Sequence, residues 1–261
     1  MNVCPYCFSS DSSPVYVNAV LCRCGCVFCP VRHAANPYSA GAFTPNLETH
    51  RLMMNNLVSA LPSQRWNRVL EIGAATGLLA DAFQDRFGPS TYHAIEPAPD
   101  MADRLRRRPL HVIQETFDEV DPEGPFDLIL CCNVDYLFAD INRCMDKIHG
   151  ALRPDGLLVI QRNVFVEQRG YVGQATPFSQ LSEVFGPNPL ISNWFMLAQY
   201  SELLARRFAI DSTSTDTTGI GFVNTYFCRR TERREAVPLM MRDQALEYLG
   251  SLGYQPLAVA S

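Results

Sequence analysis

Several things are missing from this chain. It has no stretch of about 18 apolar residues, so no membrane-spanning helix is expected. Its first residues, MNVCPYCF, show no basic segment followed by an apolar run, so no secretory leader is expected and a cytoplasmic location is the default. Positive charge is scarce: 22 Lys and Arg stand against 27 Asp and Glu, for a net charge of −5. That balance argues against a general nucleic-acid binder, whose affinity comes from neutralising phosphates. None of the five histidines lies beyond His149, which removes a histidine base from the last part of the chain. Internal repeats and low-complexity tracts are absent, and nothing in the sequence sets an oligomeric state. Length and apolar content (261 residues, 47% hydrophobic) are ample for a buried core plus a small module.

Cysteine, by contrast, is abundant at one end. Six of the ten cysteines fall within the first 29 residues: Cys4, Cys7, Cys22, Cys24, Cys26 and Cys29. The other four (Cys131, Cys132, Cys144, Cys228) sit in apolar runs and read as buried structural thiols. A clustered set without a leader favours metal over disulfides. Two thiolate pairs can close a tetrahedral zinc site whose binding energy replaces the core that so short a segment lacks. Cys4-Pro-Tyr-Cys7 supplies the first pair. The second is open between Cys26 with Cys29 and Cys22 with Cys24; a Cys22, Cys24, Cys29 set and a contribution from His33 are further options. An iron–sulfur cluster or unligated thiols are the alternatives to zinc. Residues 1–33 are therefore expected to be a zinc-ribbon-like module, and the Pro- and Asn-rich residues 34–46 a linker or lid.

From residue 47 onward, helix and strand patterns alternate. Leu47 to Leu61 has helical spacing and stops at Pro62. VLEI (69–72) runs into the small-residue turn Gly73-Ala74-Ala75-Thr76-Gly77 and then an amphipathic helix. Small residues in such a turn admit a ligand close to the backbone, and the free N–H groups of a helix start face its polar atoms. YHAI (92–95) is a strand ending at Glu96, at the distance beyond the turn where a carboxylate accepts both ribose hydroxyls of a nucleoside. A helix with Pro99 near its start, the strands HVIQ (111–114) and DLILCCN (127–133), a helix over 140–152 and the strand LLVIQ (157–161) follow. Trp194 to Phe208 reads as a helix. FAIDSTSTD (208–216) and FVNTYFCRR (222–230) read as consecutive strands, an antiparallel hairpin at a sheet edge. This alternation means an α/β doubly wound sheet. Residues 162–192 are irregular and rich in Gly and Pro, and loops of that length usually carry function. Residues 231–261 read as a C-terminal tail with a short helix.

VLEIGAATG (69–77), AIEP (94–97), DLILCCNVDYL (127–137) and LRPDGLLVIQ (152–161), in this order, resemble the class I S-adenosylmethionine-dependent methyltransferases, in particular small-molecule enzymes preceded by a zinc-ribbon-like segment. The resemblance implies a Rossmann-like, seven-stranded, mostly parallel sheet over residues 47–230, with S-adenosylmethionine as cofactor. Ala75 departs from the pattern, standing where a third glycine is common. By resemblance, Glu71 and Gly73 lie beside the amino-acid part of the cofactor, and Ala74 and Gly77 form the turn. Glu96 holds the ribose, with Pro97 and Met101 near the adenine; Thr116 and Phe117 border the adenine; Asn133, Val134 and Tyr136 face the methionine or the methyl group.

Methyl transfer from a sulfonium is a displacement at carbon, for which holding the acceptor in line does most of the work. A base is needed only when the nucleophile holds its proton at neutral pH. The candidates are Asp135, Tyr136, Arg162, Glu167, Tyr171 and His50, and Arg162 or Arg169 would suit an acidic acceptor. A small-molecule acceptor methylated at O, N or C is the leading reading. The runner-up is an RNA methyltransferase that uses the cysteine module and a basic face made of Arg104, Arg106, Arg107, Arg108, Arg229, Arg230, Arg233 and Arg234. A third reading is a cofactor-binding interaction protein without turnover.

Overall fold

A computed structural model describes residues 4, 6, 8–16, 19–22, 27–28, 47–88, 91–163, 193–194, 197–216 and 223–231. Three short strands come first: β1 (Ser12–Tyr16), β2 (Ala19–Cys22) and β3 (Val27–Phe28). Then follow α1 (Leu47–Ala60), β4 (Arg68–Ile72), α2 (Leu78–Phe87), β5 (Thr91–Ile95), α3 (Pro99–Leu105), β6 (His111–Ile113) and β7 (Phe126–Cys132). A 3-10 turn (Asp135–Leu137), α4 (Ile141–Ala151), β8 (Leu152–Asn163), β9 (Asn193–Trp194), α5 (Leu197–Ala205), β10 (Phe208–Asp216) and β11 (Val223–Arg230) complete the order.

Seven strands form the main sheet in the order β10-β11-β8-β7-β4-β5-β6. Strands β4 to β8 are parallel, whereas β11 runs antiparallel to both β8 and β10. The order reverses at β4, whose neighbours are β5 and β7, so a crevice opens beyond the carboxyl ends of these strands. The expected edge hairpin is therefore present.

The apolar runs of the central strands read as two interleaved faces. Val69, Leu128, Leu130, Leu157 and Val159 pack with α1 and α2 through Leu57, Val58, Leu79 and Phe83. Their neighbours Leu70, Ile129, Cys131, Leu158 and Ile160 pack on the other face with Ile141, Met145 and Ile148 of α4 and with Tyr200, Leu203 and Leu204 of α5. Successive strand residues point to opposite faces, so a sheet covered on both sides requires an unbroken apolar run. Each fully buried Leu or Ile contributes about 1.5–3 kcal/mol. Helix α4 starts at Asp140, whose carboxylate accepts the Arg143 N–H at 3.0 Å.

Several expectations change. Helix α1 buries Met53 fully and packs Met54 against the core as well. Strands β1 and β2 pair as a hairpin, with Tyr16 opposite Ala19. Strand β8 begins at Leu152, five residues before the apolar run, through an irregular pairing with β7. Trp194 is not helical: β9 adds to the N-terminal strands, giving a second sheet in the order β1-β2-β3-β9, with Val27 opposite Trp194. The cysteine-bearing segment is thereby paired with the chain just before α5. The Tyr6 phenol donates to the Glu202 carboxylate, Arg206 donates to the Tyr6 carbonyl at 3.3 Å, and the Arg206 guanidinium lies 5.0 Å over the Tyr6 ring. The proposed lid (34–46), the irregular segment 164–192 and the tail beyond Thr231 lie outside the described residues.

Candidate functional site

The turn after β4 stands at the head of the crevice. The Gly73 and Ala74 N–H groups donate to the Ile95 carbonyl at 2.8 and 3.1 Å, tying the turn to the end of β5. Gly73 has φ +72°, and a Cβ there would sit 2.6 Å from Val134 Cγ2, so only glycine admits Val134 at this place. Gly77 has φ +85°, and a Cβ there would meet Leu105 and the Arg108 guanidinium, each at 2.9 Å. That guanidinium makes two bonds to Asp81 (2.7 and 2.8 Å) and one to the Arg104 carbonyl. Gly77 is thus required for the close approach of Leu105 and Arg108 to the start of α2. Ala75 has φ +46°, a left-handed backbone that favours glycine.

Glu96 and Glu71 are the buried acids beside this turn. Glu96 is 4% exposed; one carboxylate oxygen accepts the Ala75 N–H at 2.8 Å and the other the Ala98 N–H at 2.9 Å. Burial pushes its pKa up, and the two amides pull against that rise. The carboxylate is thus held in one orientation, with lone pairs remaining for two further donors. Glu71 accepts the Tyr92 phenol at 2.7 Å. Burial pushes Glu71 up to about 8, opposed by the Tyr92 bond and reinforced by Glu96 and Asp81. Tyr92 itself is driven upward by burial and by Glu71.

A polar cluster lies beyond β7 and β8. Asn133 has φ +52°, and its N–H donates to the Gln161 carbonyl at 2.6 Å. Its amide donates to Gln161 Oε1 (3.4 Å), and Gln161 Nε2 donates to Thr225 Oγ1 (3.3 Å). This chain leaves Asn133 Oδ1 buried with no partner among the described residues, an acceptor held in readiness for a donor. Next to it, Arg162 and Asp135 form an ion pair at 2.5 Å, and both side chains are buried. The Tyr200 ring of α5 lies 4.5 Å beneath the Arg162 guanidinium. Burial and the Asp135 charge raise the Tyr200 pKa.

The other expected residues divide by environment. Ala74 is buried within the turn, and Met101 packs on Ala98 and Ala75, directly behind the Glu96 loop. Pro97 and Tyr136 are half-buried at the crevice edge. Thr116 holds a local turn through Glu119, and Phe117 packs against Phe138 beneath Lys147, so neither is brought to Glu96 by a contact of its own. Asp135, one of the candidate bases, is buried and paired with Arg162. His50 is half-buried on α1, and burial lowers its pKa. Glu167, Arg169 and Tyr171 lie outside the described residues. Of the basic residues, Arg106, Arg108 and Arg229 pair with Asp103, Asp81 and Asp211, which breaks up the basic face.

Of the cysteines, Cys4 and Cys22 are described. Both are buried, neither is in a disulfide, and both belong to the core shared with α5. Cys7, Cys24, Cys26 and Cys29 lie outside the described residues, and no group of three or more metal-ligating side chains forms among those described. The turn from Cys4 is closed by the Phe8 N–H on the Cys4 carbonyl at 3.0 Å, with Phe8 at φ +59°. Arg206 Nη2 is buried with no acceptor among the described residues.

Tyr92, the Arg108–Asp81 lock, Gln161, Tyr200 and Arg206 are not singled out by the sequence motifs. Of these, Tyr92 falls inside the YHAI strand, one strand from Glu71, Gln161 closes the LLVIQ strand, and Arg108 was read as part of a basic face.

Comparison with known proteins agrees with this geometry. The profile of a methyltransferase domain family matches residues 46–199, more than half of the chain. The biotin biosynthesis bifunctional protein BioCD of Bordetella avium is 32% identical over 133 residues, covering 49% of this chain and 28% of that protein. The chain thus spans well under half the length of this relative. Among solved structures, magnesium protoporphyrin IX methyltransferase (ChlM) from Synechocystis PCC 6803 with bound SAH superposes with a TM-score of 0.55 at 11% identity, covering 76% of this chain and 90% of that one. The cyclopropane synthase MmaA2 from Mycobacterium tuberculosis gives 0.57 at 12% identity, covering 69% and 83%. Strand order, glycine turn, anchored acid and family profile agree, and the chain belongs to the methyltransferase domain family.

Proposed function

We propose that the protein transfers a methyl group from S-adenosylmethionine to a small-molecule acceptor. The observation that carries this reading is the doubly anchored Glu96 carboxylate beside the Gly73 turn. A carboxylate held by two amides, with lone pairs to spare, suits a ribose diol. SAH bound in ChlM, which shares the fold, supports the cofactor.

When bound, the cofactor supplies an activated methyl group on a sulfonium. The chain's own residues then have separable tasks. Glu96 takes the ribose hydroxyls, with Pro97 and Met101 near the adenine. Glu71, Gly73, Ala74 and Gly77 shape the amino-acid end. Asn133 Oδ1 accepts a donor from cofactor or acceptor, and Val134 and Tyr136 stand at the methyl side. The Asp135–Arg162–Tyr200 cluster holds the acceptor wall rigid, which serves a reaction governed by alignment. A small acceptor suits this arrangement better than RNA, because three of the arginines of the expected basic face are paired with acids.

The cysteine segment is read as a zinc site held by four of Cys4, Cys7, Cys22, Cys24, Cys26 and Cys29, with Cys4 and Cys7 as the first pair. A cytoplasmic location is part of the same reading.

Calorimetry with S-adenosylhomocysteine and NAD tests the cofactor assignment. The protein should bind the former and ignore the latter. Glu96→Ala should weaken binding roughly tenfold to a hundredfold, the value of a charged hydrogen-bond pair. NAD binding, or indifference to the substitution, would overturn it.

A further inference from the structure

Gln161 and Thr225 have no task in the reading above, yet both are buried polar residues at the crevice end of the sheet. Gln161 of β8 stands opposite Cys132 of β7 on one side and Thr225 of β11 on the other. It lies two residues beyond Val159, so its side chain shares the apolar face that packs on α1 and α2. Polar side chains on such a face need partners, and here the bonds run in one direction. Gln161 Nε2 donates to Thr225 Oγ1 at 3.3 Å, and Asn133 Nδ2 donates to Gln161 Oε1 at 3.4 Å. An amide has one donor end and one acceptor end. With its nitrogen committed to Gln161, Asn133 has its oxygen as the open end, and that Oδ1 is buried with no partner among the described residues. The left-handed backbone of Asn133 (φ +52°) folds it onto β8, where the Gln161 carbonyl accepts its N–H at 2.6 Å. Its two chain neighbours place it beside the glycine turn. Val134 is the residue that Gly73 admits, a Cβ on Gly73 lying 2.6 Å from it. Burial, and then the Glu71 and Asp135 charges, push the Cys132 thiol up, so Glu71 is within electrostatic reach of this loop.

We propose that Thr225 and Gln161 are positioning residues that hold the Asn133 Oδ1 for the ammonium of S-adenosylmethionine. The proposal rests on the methyl-transfer reading above, and it gives to the cofactor the donor which that reading leaves open between cofactor and acceptor. A buried amide oxygen bonds most strongly to a charged N–H. An ammonium offers three N–H groups on a compact head, where a hydroxyl offers one donor, so it suits a loop that presents Oδ1 next to the Glu71 carboxyl. A neutral oxygen also avoids a second carboxylate beside Glu71, where like charges would drive protonation. Without the relay, the Asn133 amide is free to turn and present its nitrogen, which repels an ammonium. Residues of three neighbouring strands thus set which end of one amide faces the ligand.

The test uses the full chain and calorimetry with ligands that share an adenosyl thioether. S-adenosylhomocysteine carries both ammonium and carboxylate, S-adenosyl-thiopropylamine the ammonium alone, and methylthioadenosine neither. Asn133→Gly keeps the left-handed backbone and removes the amide. It should weaken the two amines roughly tenfold to hundredfold, the value of a hydrogen bond to a charged group, and leave methylthioadenosine binding as it was. Thr225→Val removes the anchor of the relay without changing its shape, and should weaken the same two ligands roughly threefold to tenfold. Gln161→Met, which breaks both links, should show the same pattern. Thr225→Ser, which restores the hydroxyl, should recover the affinity that Thr225→Val loses. If Asn133→Gly fails to fold, Thr225→Val and Gln161→Met carry the test. Equal loss for all three ligands would make the relay a general support of the fold and overturn the proposal. Loss for S-adenosylhomocysteine with S-adenosyl-thiopropylamine unaffected would show that the ammonium is not what Oδ1 reads, and would also overturn it. Thr225→Val and Gln161→Met that bind both amines as the wild type does would remove the positioning role. Wild type that binds none of the ligands would overturn the methyl-transfer reading and this proposal with it.

Discussion

On the proposed reading, Glu71 makes cofactor binding a proton-linked event. Its carboxyl is 3% exposed and is pushed by burial to about 8 from an ordinary value of 4.5. Around it stand Tyr92, Glu96, Asp81, Arg108 and Cys132, and only Tyr92 and Arg108 favour its charged form. In the folded protein it therefore keeps a proton that the unfolded chain releases above pH 4.5. Between these two values the folded state binds more protons, so stability falls as pH rises and levels off above about 8. The loss is about 3 kcal/mol by pH 7 and about 5 kcal/mol in full. S-adenosylmethionine brings an ammonium and a sulfonium to the neighbouring turn, and a cation there favours the Glu71 carboxylate. With a value near 8, about 0.9 of a proton is available for release at pH 7 and about 0.1 at pH 9. Calorimetry of cofactor binding at pH 7, in phosphate and in Tris, measures that release as a difference in enthalpy. Glu71→Gln keeps an acceptor for Tyr92 and loses the proton: it should abolish the buffer dependence, weaken binding, and flatten the fall in unfolding free energy between pH 5 and 8. An enthalpy independent of buffer in the wild type, or the same release in Glu71→Gln, would refute the reasoning.

Three further outcomes follow from the same geometry. Ala75 sits at φ +46°; the left-handed backbone costs about 1–2 kcal/mol, of which glycine's freedom in the unfolded chain returns part, so Ala75→Gly should stabilise by roughly 0.5–1 kcal/mol in denaturant titration and keep cofactor affinity. Gly73→Ala places a methyl 2.6 Å from Val134 and should lower cofactor affinity by more than about tenfold, roughly 1.4 kcal/mol, measured by calorimetry. Arg162→Met strands the buried Asp135 and should cost about 3–5 kcal/mol in thermal or chemical unfolding, whereas the Asp135→Asn/Arg162→Met double variant should recover most of that loss.

How much of this was legible in the sequence depends on the range of the interaction. The glycine turn, Glu96 and the apolar strands are local patterns, and each stands where the motifs put it. The edge hairpin was legible because two strands follow without a helix between them. Trp194 was misread because its strand pairing is with Val27, far away in the chain, and tertiary pairing overrides the helical pattern of its neighbours. Asp135 illustrates the same limit at the site. Its place after β7 made it a candidate base, whereas its pairing with Arg162 from the end of β8, beside the Tyr200 ring of α5, is not written in the motifs. No spacing rule announces three residues that meet only after the sheet has formed. Arg206 was silent for the same reason: its partner, Tyr6, is on the N-terminal segment.

The central claim, methyl transfer from S-adenosylmethionine to a small molecule, is tested most directly by incubating the protein with the methyl-labelled cofactor and a cell extract. The small-molecule and RNA fractions are then analysed by mass spectrometry. The account predicts label in a small-molecule product that is lost with Glu96→Ala. Label confined to RNA, or no labelled product from protein that binds the cofactor by calorimetry, would contradict it.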